Sequence, residues 1–202
     1  MKHDSLHIAT LIASRMCHDL INPIGAIQNG LELVKLSTDR NNKPEMELVE
    51  ESSKNAVSRV KFFRIAFGKS NELSDLTPDS ARDILSPLFN QKRFVLLWNI
   101  DHTINRLDAQ LIFLSLLCLE NAMPMGGEIT VKKHKNLLDI SGFSSDLSFN
   151  EEQWYRFAEP SQEHEVSPKD IQFLLLFLIC KEMGKHVSVD KCSDDTKLSI
   201  RL

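Results

Sequence analysis

The stretch RMCHDLINPIGAIQNG, residues 15–30, carries the side chains that are best suited to chemistry. It places a histidine, His18, and an aspartate, Asp19, shortly before Pro23. A neutral imidazole is a competent nucleophile, and nitrogen–phosphate bonds are high in energy and easily passed on. Asp19 could orient the ring or take its proton. On chemistry alone, these residue types allow nucleophilic catalysis through His18 if the ring is exposed, and an ordinary surface histidine is the alternative.

Apolar residues at steps of three and four predict that His18 lies on one long helix. They are Leu6, Ala9, Ala13, Met16, Leu20, Ile24, Ile27, Leu31 and Val34. Such spacing is typical of a helix of about thirty residues with a continuous apolar seam. At about 100° per residue, His18 lies roughly 200° from both Met16 and Leu20, so we expect it to face outward. Pro23 lacks a backbone N–H and should loosen the helix just beyond the histidine.

The helix face beyond His18 is polar and flat, which leaves room for another protein. Asn22, Gly25 and Asn29 follow on this side at helical spacing. We predict that residues of two helices border a docking surface: Ile21, Asn22, Gly25, Phe63 and Arg64. Phe63 also belongs to the apolar seam of the second helix, so a place in the core is the alternative for this side chain.

A second long helix is predicted from Pro44 to Gly68, because proline suits a first helical turn and glycine a C-cap. Its seam consists of Met46, Val49, Ser53, Ala56, Val60, Phe63 and Phe67. Two long helices with a short polar loop predict an antiparallel hairpin, and its uncovered apolar surface predicts a homodimeric four-helix bundle. The alternative is a monomeric hairpin covered by the rest of the chain.

The remaining residues predict a two-layer α/β domain. Thr77 and Pro78 have the pattern of an N-cap and a first helical residue, in a helix that reaches about Phe89. The elements predicted next are a buried strand at 93–100, a helix at 108–122, a strand hairpin at 127–133 and 137–143, a capped buried helix at 167–184 and a strand pair at 186–191 and 197–202. The fold class is therefore α+β, with a helical hairpin at residues 1–69 and an α/β domain at residues 70–202.

Composition and charge argue against several classes of protein. The 202 residues are 42% hydrophobic, and the net charge of −4 is spread along the chain without the basic stripe of a nucleic-acid-binding protein. The longest apolar run, residues 171–180, is about half the length of a membrane-spanning helix, and the start of the chain lacks a signal-peptide pattern. We therefore expect a cytoplasmic protein without nucleic-acid or membrane partners. The four scattered cysteines predict reduced, mostly buried thiols and no zinc site.

The motif HDLINP, residues 18–23, resembles the H box of two-component histidine kinases, in which an acidic residue follows the phosphorylated histidine and proline stands five positions after it. Residues 11–34, together with the hairpin and the appended domain, resemble more closely the ChpT-type histidine phosphotransferases of alphaproteobacteria. The resemblance implies that His18 is phosphorylated and that Asp19 is its acid/base or orienting neighbour. It also implies a homodimer whose second domain has the histidine-kinase ATPase (Bergerat) fold without nucleotide chemistry.

The glycines argue against an ATP-dependent kinase. A nucleotide site of this fold needs D-x-G-x-G and a second G-x-G, and the seven glycines of this chain form no G-x-G. Leu117 occupies the earlier asparagine position of a worn N box, in which Asn121 remains. Asp139 stands where D-x-G-x-G would start, but Ser141 and Phe143 occupy the glycine positions. We interpret Asn121 and Asp139 as remnants with capping or solvated roles.

Without ATP, the phosphoryl group must come from a phosphorylated aspartate on a receiver domain and pass to another receiver. The receiver supplies its own acidic pocket, Mg²⁺ and acceptor aspartate, so we expect no cofactor in this chain. The resemblance implies the receiver of a hybrid histidine kinase as donor and response-regulator receivers of cell-cycle or developmental control as acceptors. The alternatives are an active histidine kinase and a non-enzymatic dimeric scaffold that binds receivers. A plain structural bundle would not account for His18, Asp19 and Pro23 together.

Overall fold

A computed structural model describes residues 5–36, 43–68, 75–90, 93–155, 166–192 and 196–202. The elements in chain order are α1 (Ser5–Leu36), α2 (Lys43–Ala66), α3 (Pro78–Phe89), β1 (Phe94–Asn99), α4 (Arg106–Ala122), β2 (Gly127–His134), β3 (Leu137–Phe143), α5 (Glu151–Tyr155), α6 (Ile171–Glu182), β4 (Ser188–Lys191) and β5 (Lys197–Arg201). This order confirms the predicted α+β class, with the short helix α5 as an addition. Most of the predicted polar loop and the predicted boundary after residue 69 lie outside the described residues.

Helices α1 and α2 pack against each other as the predicted hairpin. They come into close contact at Gly30, where a Cβ atom would lie 2.7 Å from Val49 Cγ2 and 3.5 Å from the carbonyl oxygen of Glu45. Gly30 is therefore level with the middle of the segment from Glu45 to Val49. The two helices run antiparallel, and each rises about 1.5 Å per residue along its axis. His18 precedes Gly30 by twelve residues, so it lies level with the α2 residue about twelve positions after the middle of the segment from Glu45 to Val49, which is about Arg59.

Helix α1 continues through Pro23 without interruption. The loosening predicted just beyond His18 therefore does not break the helix. The side of α1 that carries Ile8, Ile12, Met16 and Leu20 packs against the hydrophobic core. This contact explains how a helix with an internal proline stays regular, because tertiary packing contributes more to helix stability than local propensity does.

The five strands form one mixed sheet in the order β1-β2-β3-β5-β4. Strand β1 is parallel to β2, and the other neighbouring strands are antiparallel, as predicted for the β2–β3 hairpin and the β4–β5 pair. The prediction of a buried first strand is confirmed for one face, where Phe94 and Leu96 are 6% and 9% exposed, and wrong for the other. Strand β1 lies at the sheet edge, and Val95 and Leu97 are 55% and 40% exposed on its open face.

Helix α4 forms the centre of the hydrophobic core. Nearly all of its side chains are buried, and it packs against the sheet on one side and against α2 and α6 on the other. The ring of Phe113 on α4 lies 4.8 Å from the ring of Phe62 on α2. The hairpin and the α/β domain therefore share one continuous core.

Two predicted helix N-termini differ in their outcome. Thr77 caps α3 as predicted, since its side chain accepts a hydrogen bond from the backbone N–H of Ser80. The helix predicted at 167–184 has no side-chain cap at its start, where α6 begins at Ile171. At its other end the cap is present, since Gly184 has a φ of +66° and the backbone N–H of Lys185 donates to the carbonyl oxygen of Cys180 at 2.8 Å.

The longest apolar run forms α6, which is largely buried as expected. Across the described ranges, no helix combines the length and the apolar character that crossing a membrane requires. All four cysteines are free thiols, and burial raises the pKa of Cys118 and raises that of Cys180 to about 11. Cys17 and Cys192 are exposed, so only half of the thiols are buried.

Candidate functional site

His18 lies on the outer surface of α1 with 68% of its side chain exposed. Met16 and Leu20, two residues before and after it, are partly buried against the core. The outward direction predicted from the helical spacing is therefore confirmed. A ring with this exposure can be reached by another protein.

Asp19 binds the inner edge of this ring. Its Oδ1 lies 3.0 Å from Nδ1 of His18, and its side chain is only 14% exposed. An ionised carboxylate only accepts hydrogen bonds, so this contact favours the neutral tautomer that has the proton on Nδ1 and the lone pair on Nε2. The helix does not have to break for the two neighbouring side chains to meet.

Arg15 binds the second oxygen of the same carboxylate. Its Nε donates to Asp19 Oδ2 at 3.0 Å, one helical turn away, and its side chain is 13% exposed. Asp19 therefore has a partner on each oxygen. Arg15 was not among the site residues predicted from the sequence, although an arginine four residues before an aspartate is at a spacing at which helical side chains meet.

A second ion pair joins α2 to α4, and its arginine is at about the same position along the hairpin axis as His18. Nη1 of Arg59 on α2 lies 3.5 Å from Oε2 of Glu120 on α4, and the two side chains are 15% and 23% exposed. These two atoms and Arg59 Nε form no hydrogen bond with the described part of the chain. Burial raises the pKa of the Cys118 thiol on α4, and the charge of Arg15 acts against this effect.

Three of the predicted docking residues share an exposed face beyond His18. Ile21 is 67% exposed and Asn22 is also exposed. A Cβ atom at Gly25 would meet nothing within 4 Å, so the surface there is open. These three residues are henceforth called the α1 face.

Phe63 and Arg64 do not belong to the α1 face. Phe63 is 1% exposed and its ring stacks on Phe67 at 5.6 Å, so its predicted docking role is wrong and its alternative place in the core is confirmed. Arg64 is exposed, and it follows Arg59 by five residues, so it lies beyond His18 on the side away from Gly25. Its docking role stays a prediction.

The remnants of the nucleotide motifs have different environments. Asn121 is exposed, in agreement with a solvated role. Asp139 lies within β3, partly buried, and its Oδ1 has no hydrogen-bond partner among the residues that the structure describes. The predicted capping or solvated role is therefore wrong for Asp139. Met123 covers Gly142, where an added Cβ would lie 2.4 Å from Sδ.

Comparisons with a family model, a curated relative and a solved structure all match this chain to phosphotransferases. Residues 78–195 match the family described as histidine phosphotransferase C-terminal domain. The chain is similar to the protein phosphotransferase ChpT of Brucella abortus (strain 2308), with 26% identity over 203 residues that cover 96% of this chain and 95% of that protein. A bacterial phosphotransferase solved at 1.7 Å superposes with a TM-score of 0.79 at 23% identity, over 100% of this chain and 98% of that one. At this identity the superposition establishes a shared fold.

Proposed function

The chain belongs to the histidine phosphotransferase family, and on this premise we propose that His18 carries the phosphoryl group. The chain is accordingly a phosphoryl-transferring enzyme of a phosphorelay. One observation supports His18 above all. Its exposed ring is held at Nδ1 by the largely buried carboxylate of Asp19, which leaves Nε2 for the reaction.

The proposed reaction has two symmetrical steps. The lone pair of His18 Nε2 attacks the phosphorus of an aspartyl phosphate, so that an N–P bond forms while the P–O bond to the carboxylate breaks and its electron pair leaves with the carboxylate. The ring becomes positively charged, and Asp19 stabilises this charge through the Nδ1–H hydrogen bond. In the second step an acceptor aspartate attacks the phosphorus, and the N–P electron pair returns to Nε2.

The partner in both steps is a receiver domain. Phosphoryl transfer depends mainly on positioning and on charge stabilisation, and in this proposal the receiver brings Mg²⁺ and its own acidic pocket. The α1 face, with the open surface at Gly25, lies where the receiver would dock. The donor is the receiver of a hybrid histidine kinase and the acceptors are response regulators, which places the reaction in the cytoplasm.

The hairpin is proposed to form a homodimeric four-helix bundle. Seven apolar side chains of the hairpin are between 40% and 54% exposed, and all except Leu33 and Leu48 are candidates for a shared surface: Ile24, Leu31, Met46, Val57 and Val60. At about 100° per residue they fall on one stripe of each helix. A second copy of the chain would remove this surface from water, with a gain of about 25 cal/mol for each Å² of apolar area.

Direct observation of the phosphorylated nitrogen tests the role of His18. The protein is loaded from a phosphorylated receiver and studied by ³¹P and ¹⁵N NMR, beside His18→Ala. We expect a single acid-labile phosphohistidine at Nε2 that is absent from the variant. A phosphorylated nitrogen on another histidine would contradict the proposal.

A further inference from the structure

Arg15 is a buried cation with a specific partner. Its side chain is 13% exposed, and its Nε donates to Asp19 Oδ2 at 3.0 Å. Withdrawing a guanidinium from water is costly unless it is paired and hydrogen-bonded. The chain contains a contrasting arginine–aspartate pair on α3, Arg82 with Asp79, whose side chains are 54% and 92% exposed. Of these two pairs, only the first is enclosed and joined to a reactive group.

A second charged pair lies level with the histidine site. Arg59 on α2 and Glu120 on α4 form an ion pair of 3.5 Å, and Arg59 is at about the same position along the hairpin axis as His18. Arg15 and Asp19 are joined to each other within α1 and do not belong to this second pair.

We propose that Arg15 is a positioning residue for phosphoryl transfer. By binding Oδ2 of Asp19, it fixes the carboxylate so that Oδ1 holds the proton on Nδ1 of His18 and the lone pair stays on the exposed Nε2. The nitrogen that carries the proton in an imidazole is set by the hydrogen bond that the ring makes. Without Arg15, the Asp19 side chain can turn towards water, and rings protonated on Nε2 cannot attack from that nitrogen. This inference rests on the proposed role of His18.

The test compares Arg15→Gln and Arg15→Lys with the wild type, and Arg82→Gln serves as the matched control. The tautomer of His18 is read by ¹⁵N NMR of the full chain, with the ring signals assigned through His18→Gln. Loading is timed from a labelled phosphorylated receiver and from phosphoramidate, a small donor that needs no docking surface. Folded protein is quantified by circular dichroism so that rates refer to native molecules.

We expect Arg15→Gln to move His18 from the Nδ1–H form to a mixture and to slow loading about tenfold from both donors, as loss of a partner that orients a reactive histidine does in metal sites. Arg15→Lys should keep part of the wild-type Nδ1–H population and part of the wild-type loading rate, and Arg82→Gln should change neither quantity. An unchanged tautomer together with unchanged loading in folded Arg15→Gln would overturn the inference. If Arg15→Gln fails to fold, the same two readouts on Arg15→Lys decide.

The two claims fail in different ways. If the wild type takes no label on His18, the proposed function is wrong, and the tautomer measurement still decides whether Arg15 controls the ring. If the wild type is labelled on His18 while Arg15→Gln has a wild-type tautomer and rate, only the inference about Arg15 is wrong.

Discussion

His18 and Asp19 differ in exposure in a way that suits a reaction between two proteins. His18 is 68% exposed and can enter the pocket of a partner, whereas Asp19 is 14% exposed and keeps both carboxylate oxygens in contact with this chain. The reactive nitrogen is thereby presented to the partner while the group that orients it stays fixed. No rearrangement of α1 is needed to bring them together.

Asp19→Asn tests the orienting contact at the residue scale. The amide is neutral, so it stabilises the charged ring less and loses its ion pair with Arg15. We expect loading of His18 to slow by about 10²-fold with the fold retained, since an acid/base or orienting group contributes on this order. Initial rates with a labelled receiver measure the effect.

The matched control is Asp190→Asn, which removes a carboxylate from the exposed ion pair with Arg201 on the sheet. Its rate should equal that of the wild type. An Asp19→Asn rate within a factor of two of the wild type would remove Asp19 from the mechanism.

Gly25 tests the α1 face. Because the space at its Cβ is open, we expect Gly25→Ala to raise the free energy of unfolding by up to about 1 kcal/mol, the usual difference between alanine and glycine in a helix. Gly25→Arg should weaken receiver binding at least tenfold by filling the open surface. Chemical denaturation and titration calorimetry measure the two effects, and Asn136→Arg at the exposed β2–β3 turn is the control. Unchanged receiver affinity in Gly25→Arg would exclude this face as the docking site.

The site could be predicted from the sequence only where a single helix determines it. The helical spacing predicts the exposure of His18, Ile21 and Asn22, because these positions depend on the geometry of α1 alone. The error at Phe63 arises because a residue on an apolar seam can face either the core or a partner, and the structure buries this one. The height of Arg64 relative to His18 depends on the contact at Gly30, and the spacing of apolar residues does not specify which turn of α2 lies beside which turn of α1.

At the scale of elements, α4 caps the C-terminus of α2. Nη2 of Arg106 donates to the carbonyl oxygens of Arg64 and Ile65, each at 2.7 Å. Nε2 of Gln110 donates to the carbonyl oxygens of Ala66 and Gly68 at 3.1 and 3.2 Å. The last carbonyls of a helix lack partners within the helix, so these side chains satisfy them and fix the joint between hairpin and domain.

Gln110→Leu tests this joint. It keeps the side-chain volume but leaves the carbonyls of Ala66 and Gly68 without their donor, which costs about 1–3 kcal/mol for buried polar groups. We expect the free energy of unfolding to fall by this amount in urea denaturation. Arg201→Gln, which removes a partly exposed arginine from the sheet, should change it by less than about 0.5 kcal/mol. Equal stability of Gln110→Leu and the wild type would mean that the joint is held by apolar packing alone.

The elements themselves follow closely from local sequence. Thr77 and Pro78 begin α3 as predicted, and the alternation in β2 and β3 predicts their hairpin. The errors occur where neighbours decide the outcome. The apolar composition of β1 does not reveal that it is an edge strand, and the Asp170 carboxylate interacts with Ser167 instead of capping α6.

At the scale of the whole molecule, the hairpin is anchored at one end and uncovered at the other. The ring of Phe62 packs on Phe113 of α4 near the joint, whereas Leu31 and Met46, at the opposite end, are 43% and 40% exposed. This division suits a molecule whose hairpin is joined to the second domain at one end and remains available for dimerisation along its exposed surface.

Charge placed on the apolar stripe tests the proposed dimer. We expect the wild type to sediment as a dimer and the double variant Leu31→Glu and Val57→Glu to sediment as a folded monomer, because burying a glutamate in the bundle is unfavourable. Leu137→Glu, at an exposed position on the sheet, is the control and should remain dimeric. A monomeric wild type at micromolar concentration would contradict the four-helix bundle.

The most direct test of the central claim is phosphoryl transfer itself. Labelled phosphate is offered to the protein either on a phosphorylated receiver or as ATP with Mg²⁺, with the wild type and His18→Ala in both reactions. The account predicts acid-labile label that comes only from the receiver, is absent from His18→Ala and passes to a second receiver. Label from ATP alone, or label from the receiver that persists in His18→Ala, would contradict it.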